Sequence, residues 1–127
     1  DALALAGQAE RLPEMYRRWS AFLVDGYDTL GECWGWGTRA HGWSSTPTRD
    51  MIFYTLGVTP AEPGYTKASI APRLGHLAWV KGEVPTPHGP IAVAATPDKV
   101  TVESPIPFVV HLKGLSSLHL PPGRHEL

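Results

Sequence analysis

At 127 residues the chain has room for one ordinary domain or for two small lobes sharing an interface. Its formal net charge of −1 and 43% apolar content argue against a polyanion-binding or membrane-surface protein, so no nucleic-acid and no membrane partner is expected. No apolar run approaches the ~20 residues of a membrane span. The one cysteine, Cys33, excludes an intrachain disulfide, and six scattered histidines give no zinc-ligand spacing, so no metal and no cofactor is expected.

The chain starts on Asp1, inside an Ala/Leu-rich pattern, and the expectation is a piece of a longer polypeptide, processed or trimmed. Ala2 to Ala9 are strong helix formers apart from Gly7, apolar nearly all round, as in a buried helix or the end of one. Pro13 suits a helix's first turn, and Met15, Trp19, Phe22 and Leu23 then recur at helical spacing, opposite Glu14, Arg17 and Arg18. Gly26 is a fitting stop, which predicts a helix from about Pro13 to Asp25.

The stretch from Asp28 to Asp50 is the richest in the chain. It holds three of the five tryptophans (Trp34, Trp36, Trp43) and four glycines, with Glu32 among them and His41 after them. Glycine lets backbone approach a ligand, and an indole offers a flat apolar face with one donor at its edge. Sugars present apolar C–H faces with polar rims, so a carboxylate among indoles fits a carbohydrate site; packing fits the same tryptophans. Glu32 is the candidate acid or base. A second helix is expected from near Pro47, capped by Ser45 or Thr46 and stopped by Gly57.

Composition changes at about Val58. Thr59 to Gly64 is a turn-rich hinge, and short strand candidates follow at Tyr65 to Ala71, Leu77 to Val84, Ile91 to Ala95, Val100 to Glu103, Pro107 to Leu112 and Leu115 to Leu120. Pro121 to Arg124 is read as a turn in the tail. Frequent turns between short strands predict an antiparallel sandwich. The fold class is therefore α+β, with a helical segment over residues 1–58 and a β-sandwich over residues 59–127. Two helices cannot close a core of their own, so their apolar stripes need either the β lobe or helices that this chain lacks, and missing helices are the favoured reading.

Here the residues resemble a known family. Thr29-Leu30-Gly31-Glu32-Cys33-Trp34, then Ala40-His41-Gly42-Trp43-Ser44-Ser45-Thr46-Pro47-Thr48, then Leu56-Gly57-Val58-Thr59-Pro60-Ala61-Glu62-Pro63-Gly64-Tyr65 are similar to the C-terminal end of bacterial α-L-rhamnosidases of glycoside hydrolase family 78. The likeness continues through Ile70-Ala71-Pro72, Leu77-Ala78-Trp79, Gly82 and Thr86-Pro87-His88-Gly89-Pro90-Ile91, covering roughly residues 15 to 112. The resemblance implies the last helices of an (α/α)6 barrel, then a trailing sandwich. It implies inverting hydrolysis of terminal α-L-rhamnosides, in which one carboxyl protonates the leaving oxygen and another activates water from the opposite ring face. Glu32 matches the family's general base in its Glu-x-Trp segment. His41 and Trp43 match the His-Gly-Trp-Ser segment near the sugar. The general acid and most sugar-binding aspartates of the family lie upstream of what this sequence contains. Gly31, Cys33 and Gly35 stand where many members carry other residues.

The site residues taken from this reading are Glu32 as catalytic base and His41, Trp34 and Trp43 as sugar-binding. Asp28 and Asp50 are expected as helix caps, and Arg39 and Arg49 as solvated or paired with them. Trp19 and Trp79 are expected in the core, His76, His88, His111, His119 and His125 on the surface, and Cys33 as passive. The expected partners are a rhamnose-containing glycoside and either the N-terminal remainder of the same enzyme or a second copy bound through the helical half. Two other readings stand beside the hydrolase: a non-catalytic carbohydrate-binding or docking module using the Trp/Gly cleft, and a related (α/α)6 glycosidase or phosphorylase on another sugar.

Overall fold

The computed structural model describes all 127 residues, Asp1–Leu127. The helical segment is a chain of short pieces. Helix α1 (Ala2–Leu5) ends where Gly7 takes φ +73°, and a 3-10 turn, Ala9–Arg11, leads into α2 (Leu12–Arg17). The helix expected from Pro13 to Asp25 is present but broken: α3 spans Ser20–Val24, and at the junction the amides of Arg18, Trp19 and Phe22 bond carbonyls three residues back. The break serves Trp19, whose indole N–H donates to the Ser44 carbonyl at 2.9 Å. Gly26 is the stop, at φ +75°.

The second expected helix is also composite. A 3-10 turn, Gly42–Ser45, precedes α4 (Thr46–Asp50), which runs into a π-helical turn, Met51–Leu56. Neither Ser45 nor Thr46 caps it by side chain; the Ser45 hydroxyl donates back to the Gly42 carbonyl. Asp50 is not a cap either. It is buried, 3.0 Å from the Arg49 guanidinium and 3.6 Å from the Asp1 ammonium. Asp28 heads no helix, and Arg39 lies over the Tyr27 ring instead of pairing with it.

From Val58 the chain is β. One sheet runs β1 (Val58–Pro60), β2 (Ala68–Ile70), β6 (Phe108–Val110), β7 (Leu118–Leu120). The other runs β3 (Val80–Val84), β4 (Ile91–Thr96), β5 (Lys99–Ser104), β8 (Gly123–Glu126). All pairs are antiparallel except β2 with β6, which are parallel. A parallel pair needs a long crossover, and the β3–β5 meander supplies it. Two strands, β1 and β8, lie where a hinge and a turn were expected.

Alternation along β2, β3, β4 and β5 sends one face inward. Val58, Ala68, Ile70, Phe108 and Val110 of one sheet meet Val80, Val84, Ile91, Val93, Val100 and Val102 of the other in a core of 14 buried residues. The helical segment's own cluster has only three: Ala4, Ala9 and Leu12. The helical segment therefore leans on the sandwich, through Leu56 and Ile52 in the larger core. Gly57 makes the hand-over: at φ +77° it passes so close to the next turn that a Cβ would sit 2.1 Å from the Ala71 carbonyl oxygen. The first helix is not fully buried as its pattern predicts, since Leu5 is 82% exposed. Trp79 is not core but 65% exposed, on the outward register of β3 shared by Lys81 and Glu83. No helix is long and apolar enough to cross a membrane.

Candidate active site

The loop after α3 is folded back on itself by two backbone bonds, Glu32 N–H to the Thr38 carbonyl and His41 N–H to the Leu30 carbonyl, both 2.9 Å. A bridge between Cys33 and Trp36 tightens the tip. Gly31 is buried under aromatic rings, where a Cβ would stand 2.9 Å from the Phe22 ring. This folding puts Glu32 and His41, nine positions apart in sequence, side by side.

Their contacts centre on Thr38. Its backbone N–H donates to Oε2 of Glu32 at 3.1 Å, and its hydroxyl lies 3.3 Å from the same oxygen and 2.6 Å from Nδ1 of His41. Nδ1 is 3.7 Å from Oε2 directly. The Thr38 amide holds the Glu32 carboxyl below its ordinary pKa; partial desolvation opposes this but does not overcome it, and His41 and the Thr38 hydroxyl add to the lowering. The side chains of Glu32 and His41 are 24% and 26% exposed, so an ionised acceptor stands where solvent or a ligand reaches it. Chemically the arrangement can accept a proton from water and hydrogen-bond a hydroxyl.

Of the residues singled out from sequence, the structure brings Glu32, His41 and Trp43 together, the Trp43 ring centred 4.4 Å from the imidazole and largely exposed. Trp34 is engaged differently. It stacks on Phe22 (6.2 Å), meets Trp19 edge-on (5.1 Å), carries the Arg18 guanidinium over its ring, and donates its N–H to the Arg18 carbonyl. Its ring remains 41% exposed. Sequence reasoning missed Thr38 and Gly37. The signal was a hydroxyl residue three positions before His41, behind a glycine, inside a loop that must close.

The larger clefts lie away from Glu32. One of about 570 Å³ sits on the outer face of β3–β5 beside Trp79, and one of about 890 Å³ lies between Gly7–Glu10 and Arg73–Lys113. Chemistry and cavity disagree here, and chemistry is the better guide. Glu32 and His41 line neither of these clefts. No three His, Cys, Asp or Glu side chains converge as a metal site.

Comparison with known proteins places the fold. The family model described as the bacterial alpha-L-rhamnosidase C-terminal domain matches residues 57–126. An alpha-L-rhamnosidase of Alteromonas sp. (strain LOR) is 27% identical over 147 aligned residues, covering 100% of this chain and 15% of that protein. Among solved structures, native alpha-L-rhamnosidase from Aspergillus terreus superposes with a TM-score of 0.79 at 20% identity, over 98% of this chain and 18% of that one. The Streptomyces avermitilis alpha-L-rhamnosidase complexed with L-rhamnose gives 0.68 at 15% identity, over 82% of this chain and 14% of that one. At such identities the superpositions establish the fold. The chain spans less than a fifth of the length of each of these relatives.

Proposed function

The chain belongs to the bacterial α-L-rhamnosidase C-terminal domain family, and from that premise we propose that it is the closing portion of an inverting α-L-rhamnosidase and supplies the general base, Glu32. Residues 1–58 are the final helices of an (α/α)6 catalytic barrel, and residues 59–127 are the trailing β-sandwich. The substrate is a terminal α-L-rhamnoside.

One observation carries the reading. Glu32 is fixed by the Thr38 amide, kept ionised, and left open to one side of a helical segment that has almost no core of its own. An inverting base must be ionised and must face a water that attacks from the ring face opposite the leaving group. In the proposed mechanism Glu32, held through Oε2 by Thr38, takes the proton of that water on its other carboxylate oxygen, Oε1, as the water oxygen bonds to the anomeric carbon. A second carboxyl, from polypeptide outside these 127 residues, protonates the departing oxygen. His41 hydrogen-bonds a sugar hydroxyl. Trp43, and the open part of the Trp34 ring, give the apolar wall that a sugar's C–H face seeks.

The test is Glu32→Gln in an α-L-rhamnosidase polypeptide that contains this segment. The amide keeps the side chain's shape but cannot take the proton, so kcat and kcat/KM fall together while binding holds. Azide restores part of the rate and yields the inverted glycosyl azide. A folded Glu32→Gln enzyme that keeps more than about a tenth of its kcat, a loss of under ~1.4 kcal/mol, removes Glu32 from the role.

A further inference from the structure

The Thr38 hydroxyl has one proton and two polar neighbours, Nδ1 of His41 at 2.6 Å and Oε2 of Glu32 at 3.3 Å. A threonine hydroxyl donates once and accepts through two lone pairs, and a neutral imidazole has one N–H and one bare nitrogen. Two arrangements exist. If the hydroxyl donates to Nδ1, that nitrogen is bare, and its lone pair shares the corner with a carboxylate oxygen 3.7 Å away. Oε2 then keeps only the Thr38 amide. If Nδ1–H donates to the hydroxyl, and the hydroxyl donates to Oε2, every polar atom in the corner is matched and the N–H dipole points toward the negative charge.

The second arrangement also settles the far side of the ring. No protein group hydrogen-bonds Nε2 of His41, yet no buried side-chain nitrogen or oxygen in the molecule lacks a partner, so Nε2 is open to solvent. Trp43 packs at 4.4 Å against the same imidazole and limits its rotation.

We propose that Thr38 is a positioning residue that holds His41 as its Nδ1–H tautomer, couples it to the Glu32 carboxylate, and thereby presents Nε2 as a hydrogen-bond acceptor for a sugar hydroxyl. The tautomer stands on geometry alone; its catalytic consequence rests on the Glu32 reading. The ligand class is a neutral polyol that donates a hydroxyl.

The tautomer is read directly on the 127-residue chain by nitrogen NMR of ¹⁵N-histidine-labelled protein near neutral pH. The expected spectrum has His41 protonated at Nδ1 and bare at Nε2. Thr38→Val, which keeps the branched shape without the hydroxyl, loses that preference, and Thr38→Ser restores it. A wild-type His41 carrying its proton on Nε2, or an unchanged tautomer in Thr38→Val, overturns the proposal. Circular dichroism confirms the fold of each variant, and if the valine variant does not fold the wild-type spectrum still decides. In a longer rhamnosidase polypeptide, Thr38→Val lowers kcat/KM for an aryl α-L-rhamnoside on the order of 10-fold or more, with serine rescuing it. An unchanged kcat/KM refutes the coupling. The two readings fail separately: an active Glu32→Gln enzyme sinks the base while leaving the tautomer intact, and a wrong tautomer beside a dead Glu32→Gln enzyme sinks only Thr38.

Discussion

Gly37 lies directly against Glu32: a Cβ on Gly37 would stand 2.9 Å from both Cβ and Oε2 of the glutamate. The glycine also holds φ +91°, a conformation that L side chains rarely adopt. Gly37→Ala therefore meets two penalties at one place, backbone strain and a push on the carboxylate. The expected result is a loss of ~1 kcal/mol or more in stability, since alanine is unsuited to a positive φ. The displaced carboxylate leaves the Thr38 amide, so its pKa rises toward the ordinary glutamate value. Carboxyl carbon NMR across an acid titration checks this, with denaturant unfolding for the stability.

The lowered Glu32 pKa has a definite sign in stability. The folded state holds its proton less tightly than the unfolded chain, whose glutamates titrate at about 4.3. The contribution is fully present above that unfolded value and is lost as pH falls through the lower folded pKa. Glu126 acts in the same direction, chiefly through its hydrogen bond to Lys99, 2.9 Å away. Stability therefore falls on acidification below about pH 5, and Glu32→Gln or Glu126→Gln makes that fall shallower. Chemical denaturation at a series of pH values measures both slopes.

The division of the core sets where truncation hurts. Phe108 is fully buried between the two sheets, while Leu23 on α3 is largely exposed. Phe108→Ala should cost ~3–5 kcal/mol by lost burial and a cavity. Leu23→Ala should stay within about 0.5 kcal/mol, as exposed substitutions do. Urea unfolding of the two variants decides it. Equal losses would mean that the helical segment buries Leu23 in solution.

How much of this was legible in the sequence follows from which forces are local. Helix α2 and α3, the stop at Gly26 and the hand-over at Gly57 came from periodicity and backbone freedom, which neighbouring residues determine. The break at Trp19 did not, because it answers a carbonyl 25 positions away. Strand β8 has no apolar alternation; it exists because Glu103 pairs with Arg124 and Thr101 with Glu126 in the ladder, a long-range match. Strand β1 contains Pro60, a residue that reads as a turn and is tolerated here at the end of an edge strand. Trp79 was readable from parity, since Val80 and Val84 point inward and Trp79 must then point outward; size alone misled. In the site, Glu32, His41 and the tryptophans announced themselves by residue type. Thr38 and Gly37 did not, because their importance lies in two hydrogen bonds and a close approach that appear only when the loop closes.

The helical segment exposes apolar side chains that its own three-residue cluster cannot cover. Leu5 is 82% exposed and Val24 85%, with Leu23 and Trp36 also outward. Covering such side chains is favourable at roughly 25 cal/mol per Å², and apolar patches beyond a few hundred Å² mark interaction surfaces. The chain aligns with 15% of its curated relative, and on the proposed function the rest of such an enzyme would cover them. In isolation the expected substitute is a second copy. Light scattering should show mass rising with concentration, and Leu23→Gln with Val24→Gln should reverse that rise with little change in unfolding midpoint, because both residues are exposed in the monomer. On the proposed function, adding the barrel portion of an α-L-rhamnosidase should also abolish the self-association, by occupying the same face. A wild-type chain that stays monomeric across the accessible concentration range, with no dye-binding apolar surface, would show that these side chains find cover within the chain and would remove the complementary-polypeptide argument for this face.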